Sequence, residues 1–123
     1  MTDYLFDLHS AWHAFISIGR HRHPELRVLF AALAGGAPLH TERLAARGGG
    51  DVWASDERIF FDTSSYGTKA TDAIARSVGV EQLVFGSDVP VAEPQEIALG
   101  DAARELMAGD NVYRLFGDVG VAA

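Results

Sequence analysis

The chain has 123 residues, a formal net charge of −7, no cysteine, and a hydrophobic content of 48%. This length fits a single domain over residues 1–123, and the composition excludes a disordered chain, disulfides and thiolate metal sites. The acidic balance argues against nucleic acid or a membrane surface as a partner, and no apolar run reaches the ~20 residues that span a bilayer, so we expect a cytoplasmic protein.

The first half of the chain predicts a helix, a strand and a second helix. Apolar residues recur at three- and four-residue steps from Tyr4 to Arg22, which is one face of an amphipathic helix. The apolar run at residues 26–32 predicts a strand, residues 35–38 a turn, and residues 39–47 another helix.

The second half repeats this alternation. Residues 58–62 and 82–86 are rich in β-forming side chains and predict two further strands. Between them a helix is expected over residues 69–78, ended by Gly79. After the second strand we expect a helix over residues 96–108, and Asn111 as the cap of a last short helix that reaches Phe116.

Alternating strands and helices predict an α/β domain with about three parallel strands covered by helices. The strand centres, near Val28, Phe60 and Val84, lie 32 and 24 residues apart, the spacing of βα units. An open sheet of three strands leaves two unpaired edges, which favours a homo-oligomer or a missing N-terminal barrel half to cover them. The aromatic residues predicted to pack inside the domain are Trp12, Trp53, Phe60, Phe61 and Phe85.

The carboxyl ends of parallel strands are where functional residues gather. Asp88 directly follows the third strand, and a carboxylate there is suited to bind a metal or to act as a general base. The alternative is a structural role, as an Asx-turn or a loop cap. After the second strand, Ser64, Ser65 and Tyr66 are candidates for substrate binding, although helix capping explains one or two of them.

Four segments occur in the order in which one enzyme family carries them. They are residues 23–38 (HPELRVLFAALAGGAP), 59–64 (IFFDTS), 83–90 (LVFGSDVP) and 111–117 (NVYRLFG). Together they resemble strands six, seven and eight and the closing helix of the amidohydrolase-related metal-dependent hydrolases and decarboxylases. The resemblance implies a partial (β/α)8 barrel of the TIM type, with three parallel strands equivalent to strands six to eight.

This resemblance also implies a chemistry. Asp88 would bind a divalent metal, usually zinc, and accept a proton from the metal-bound water during hydrolysis or decarboxylation of a small organic acid. The family's other metal ligands, from strands one and five, have no counterpart in the chain. We therefore expect the chain alone to be incomplete and inactive, with Asp88 as its catalytic and metal-binding residue. The alternative is that this chain binds no metal.

Histidines give further candidates. The family commonly carries a catalytic histidine where this chain has Ala32, and His40 is a possible replacement in the pocket, the alternative being an exposed or packing role. His9 and His13 are four residues apart on the first helix, but they lack an accompanying Glu, so ordinary helix packing is the favoured interpretation.

Two other functions remain open. The first is a non-catalytic half-barrel that self-associates through its sheet edges, which the unpaired edges and Ala32 favour. The second, a small flavodoxin-like binding domain, is weaker because no phosphate-binding loop is evident.

Overall fold

The fold is a three-stranded parallel sheet surrounded by helices. The computed structural model describes residues 3–49 and 56–117. The strands follow one another in the sheet in chain order, and neighbouring strands are parallel throughout. They are β1 (Val28–Phe30), β2 (Ile59–Asp62) and β3 (Leu83–Val84). The predicted α/β class with three parallel strands is thus confirmed.

Four helical stretches accompany the strands. We label residues 3–22 α1, Thr41–Ala46 α2, Thr68–Val78 α3 and residues 101–116 α4. Both long helices contain a π-helical turn: α1 comprises Asp3–Ala14, Phe15–Gly19 and Arg20–Arg22, and α4 comprises Asp101–Glu105, Leu106–Asp110 and Asn111–Phe116. Among the described residues, no helix is long and apolar enough to cross a membrane.

The last part of the chain differs from the sequence-based expectation. The helix predicted from residue 96 begins at Asp101, because Gly100 has a φ of 95° that no right-handed helix accommodates. Asn111 does not cap a separate helix; it lies inside α4, whose backbone stays helical through this position. The predicted helix over residues 69–78 is confirmed as α3, which Gly79 ends with a φ of 93°.

The segment after β1 is the least regular part of the fold. The expected strand over residues 26–32 shrinks to three residues, because Ala32, Leu33 and Ala34 adopt left-handed conformations with φ between 48° and 54°. Gly35 and Gly36 continue this left-handed turn. We call residues 32–36 the left-handed segment. Leu33 and Ala34 are fully buried, so their packing stabilises a backbone conformation that their side chains disfavour.

The sheet has apolar side chains on both faces. The larger cluster joins α1, the left-handed segment, α3 and one face of the sheet, and a smaller one joins the other face to α4. Trp12, Phe60 and Phe61 are buried as predicted, whereas Phe85 is 39% exposed, contrary to expectation. The predicted packing of Trp53 lies outside the described residues.

No strand of the described chain pairs with either outer edge of the sheet, but the two edges are not equivalent. Alongside β3, the Asn111 side chain of α4 donates to the carbonyls of Val80 and Leu83, each at 2.8 Å, and Phe85 N–H donates to the Met107 carbonyl. Helix α4 therefore covers this edge. Within the described part of the chain, β1 pairs only with β2, so its outer edge is open.

We expect Asn111→Ala to lower the free energy of unfolding by about 2–4 kcal/mol, because the Asn111 side chain is completely buried and two carbonyls would lose their donor. Urea unfolding of both proteins measures the difference. The exposed neighbour Asp110, changed to Ala, is the matched control and should alter stability little. A loss in Asn111→Ala no larger than in this control would show that α4 does not hold the edge.

Candidate functional site

A cleft opens at the carboxyl ends of the strands. Its volume is about 420 Å³, within the size range of small-molecule sites. Side chains from β2 and from the loops after β2 and β3 form its polar part, and residues after β1 and the start of α1 complete it. The lining residues are Tyr4, Ala31, Ala32, Asp62, Ser64, Ser65, Tyr66 and Asp88.

Asp88 is held in this cleft by a residue from the neighbouring loop. Its carboxylate oxygen Oδ2 accepts a hydrogen bond from the Ser65 hydroxyl at 2.5 Å. Both residues have a left-handed backbone, with φ of 58° and 64° respectively. An Asx-turn at Asp88 would need the N–H two residues later, and Pro90 has none. The carboxylate thus links two loops and does not form an Asx-turn.

Asp62 is a second carboxylate in the cleft, at the last position of β2. Its Oδ1 atom accepts hydrogen bonds from the Ser64 hydroxyl at 2.8 Å and from the Ser64 N–H at 3.2 Å. Both side chains lie directly against Gly86: a Cβ there would come within 1.9 Å of Asp62 Oδ1 and 2.1 Å of Ser64 Oγ. Only glycine at position 86 leaves room for this pair.

Two tyrosines, Tyr4 and Tyr66, also line the cleft. Burial raises the pKa of the Tyr66 phenol above its usual value of 10.0, and the nearby Tyr4 raises it further. Tyr66 is therefore a neutral phenol at physiological pH, able to donate and to accept a hydrogen bond but not to act as a phenolate base.

The electrostatic character of the cleft follows from its lining. Among the described residues, two carboxylates, Asp62 and Asp88, line it, and no lysine, arginine or histidine does. Hydroxyl groups and carboxylate oxygens suit hard cations or hydroxylated ligands. An organic anion entering the cleft would meet negative charge unless a cation were already bound.

Four predicted site residues come together here: Ser64, Ser65, Tyr66 and Asp88. Asp62 was not predicted, although an acid that ends an otherwise apolar strand is a readable signal. Tyr4 was not predicted either, and no local pattern marks this residue, since it reaches the cleft only through the packing of α1.

His40 lies outside the cleft, contrary to the expectation of a pocket role. The left-handed segment turns the chain back toward α1, so that the exposed His40 ring lies 5.3 Å from that of His9, centroid to centroid. The rings of His9 and His13 are 4.9 Å apart. Burial lowers the pKa of His13, and the neighbouring His9 and His40 lower it further. We call these three residues the histidine cluster.

As the side chains are placed, no three His, Asp or Glu residues of the described chain form a group that could hold a metal ion. Compared with models of known protein families, with curated proteins and with solved structures, the chain shows no match. The amidohydrolase resemblance and the zinc site that it implies therefore stay predictions.

We expect Gly86→Ala to disrupt the cleft, because the new methyl group would displace Asp62 and Ser64. The free energy of unfolding should fall by about 1–3 kcal/mol, the usual cost of forcing extra atoms into a packed site. Chemical denaturation measures it. Gly109→Ala is the matched control: a Cβ there meets nothing within 4 Å, so this helix substitution should stabilise by about 0.5–1 kcal/mol. Equal effects of the two substitutions would contradict the assigned contact.

The histidine cluster predicts a pH dependence of stability. Because the folded pKa of His13 is lowered, the unfolded state binds more protons below about pH 6.5, and stability falls as the pH drops through this range. His13→Gln should reduce that fall, measured by urea unfolding at about pH 8 and about pH 5.5. His21→Gln, an exposed substitution at the end of α1, is the control. A pH dependence unchanged in His13→Gln would refute the assignment.

Proposed function

We propose that this chain carries part of the active site of an amidohydrolase-related enzyme, one that hydrolyses or decarboxylates a small organic acid with a divalent metal. The observation that supports it is the convergence of Asp88 with Ser64, Ser65 and Tyr66 in one cleft at the carboxyl edge of a parallel sheet. That edge is the usual location of active sites in barrels and open α/β sheets. The three strands would then be part of a (β/α)8 barrel.

In this proposal Asp88 is one metal ligand and the proton acceptor. Ser65 occupies Oδ2, and the other carboxylate oxygen makes no hydrogen bond to any described residue. A catalytic zinc site takes three protein ligands, commonly with nitrogen donors among them, and the cleft supplies only carboxylates. The cleft alone thus falls short of a zinc site, and we expect the remaining ligands to come from other residues or a second chain. The chain by itself is then inactive.

The substrate class depends on the charge of the cleft. With two carboxylates and no cationic side chain in the lining, an organic acid gains attraction only from a bound cation. The hydroxyl of Tyr66 is then able to donate a hydrogen bond to a carboxylate, whereas the hydroxyls of Ser64 and Ser65 already donate to Asp62 and Asp88. A small acid and a metal would therefore bind together, and the acid alone would bind poorly.

A non-catalytic, self-associating module is the second candidate. The open outer edge of β1 supports it, because Leu26 and Leu29 beside that edge are 50% and 43% exposed. Two copies could pair through this edge around a two-fold axis. Ala32, which lies in the cleft where the resembled family carries a histidine, is consistent with lost catalysis.

NMR spectra of the ¹⁵N-labelled chain test the leading proposal. Mn²⁺, a paramagnetic divalent probe, should broaden the amide signals of residues 62–66 and 86–89 and leave those of α4 sharp. Asp88→Asn should weaken this effect about tenfold or more, because a ligand charge is lost. Asp110→Asn, an exposed acid on α4, is the matched control and should leave the titration unchanged.

Benzoate, a small aromatic acid, is the second probe in the same experiment. We expect it to shift the cleft signals only when the metal is present. The metal-dependent proposal would be overturned if Mn²⁺ left the amide signals of the cleft residues unbroadened, or if benzoate bound without metal. Sedimentation of the same samples decides on the alternative: a strictly monomeric chain excludes self-association through β1.

A further inference from the structure

We propose that His9, His13 and His40 bind a divalent transition metal ion of the zinc, nickel and copper class, at a site separate from the cleft. His9 and His13 are neighbours on one face of α1, four residues apart, and His40 approaches them from the end of the segment that follows β1. The inference is independent of the proposed function, because none of the three residues lines the cleft.

The ring separations match those of imidazoles that share a metal. A Zn–N bond is about 2.1 Å, and the ring nitrogens lie about 1.1 Å from the ring centre, so two ligands of one tetrahedral ion have centroids roughly 5 Å apart. The observed separations are 4.9 Å for His9 and His13 and 5.3 Å for His9 and His40. The backbone therefore already places His9 at about this spacing from each of the other two rings.

The imidazole nitrogens are available. Within the described chain, none of the three rings makes a hydrogen bond or an ion pair with another residue. A neutral imidazole is the form that binds metals, and the lowered pKa of His13 favours this form near neutral pH. The half-buried His13 supplies a fixed ligand, and the exposed His40 supplies one that is free to adjust.

Closure of the site requires side-chain rotation. The rings are tilted by 40° and 48° to one another, and as they stand the nitrogens do not form a three-ligand group. Rotation about the side-chain torsions of His40 and His9 would turn the nitrogens toward one ion while the backbone stays in place. Water would complete the coordination.

The donor set determines which ions bind. Three nitrogen donors select zinc, nickel, cobalt or copper over magnesium and calcium, which prefer oxygen. The bound ion would connect α1 with the chain just before α2, on either side of the left-handed segment. It would therefore act as a cross-link within the folded chain and raise the melting temperature in proportion to the logarithm of the zinc concentration.

Metal titrations of the full chain, with no affinity tag, test the proposal. We expect calorimetry to show one Zn²⁺ per chain that excess Mg²⁺ does not displace, and Co²⁺ to give the visible absorption of a tetrahedral nitrogen site. His9→Ala and His13→Ala should each weaken zinc binding by about tenfold or more, and His40→Ala should do the same. The exposed His40 makes that last variant the least damaging to the fold.

The chain contains its own matched control. His21 and His23 are also close in sequence and exposed, and the double variant His21→Ala/His23→Ala removes as many imidazoles from outside the cluster. Its zinc affinity should equal that of the parent. The proposal is overturned if the parent binds no zinc, if binding disappears in the double variant, or if His40→Ala binds as tightly as the parent. Circular dichroism confirms that each variant is folded.

Discussion

The close approach of the left-handed segment to α1 determines the position of both candidate sites. A Cβ on Gly35 would come within 2.5 Å of the Leu5 carbonyl, so the two backbones touch without an intervening side chain. Tyr4, on one side of this contact, lines the cleft, whereas His9, on the other, belongs to the histidine cluster. A larger residue at position 35 would push α1 away and separate the parts of both sites.

This contact is energetically demanding. Three non-glycine residues in the left-handed region cost roughly 1–2 kcal/mol each. Burial of the Leu33 side chain stabilises the folded state by about 2 kcal/mol. The adjoining Ala34 packs in the same core cluster as Trp12 of α1. The left-handed segment is therefore stable only when α1 is docked on it, so the helix and the segment should form and unfold together.

The two ends of the sheet have different roles: contacts at one end hold the long helices, and the cleft lies at the other. At the amino ends of the strands, Arg114 of α4 donates to the carbonyls of Glu57 and Glu81, and its guanidinium lies 5.3 Å from the centre of the Phe60 ring. Arg20 of α1 makes an ion pair with Asp56 at 2.7 Å. These two arginines connect the two long helices to the residues just before the strands. The carboxylates of the cleft are at the opposite ends, where the strand termini leave backbone and side chains free to meet a ligand.

Local patterns predicted the parts of the fold that local interactions stabilise. Helix α3 was predictable within one residue of its start, Thr68, because an amphipathic pattern and a terminal glycine mark both its face and its end. The left-handed turn at Ala32 was not, because alanine by itself prefers negative φ and only tertiary burial selects otherwise. Because of that turn, His40 lies beside α1 and not in the cleft, where it was predicted.

The proximity of Ser65 and Asp88 was predictable from the topology of the sheet and not from local sequence patterns. Parallel strands bring their carboxyl ends to one edge, so residues 23 positions apart become neighbours whatever the local conformation. The topology of the sheet predicts that these loops lie close together, but it does not predict which side chains contact each other. The contact between Asp62 and Ser64 depends on Gly86, whose missing side chain leaves room for both. Asp62 is thereby a second carboxylate in the cleft beside Asp88.

The donor chemistry of the two sites argues that they serve different ligands. The described side chains of the cleft offer oxygen donors, and those of the histidine cluster offer nitrogen donors. Oxygen donors hold hard ions weakly unless several carboxylates converge, whereas imidazoles hold zinc or nickel with few ligands. Zinc or nickel added to this chain should therefore occupy the cluster first. Metal bound by the chain is then no evidence of an active site at Asp88 unless the ion is located at the cleft itself.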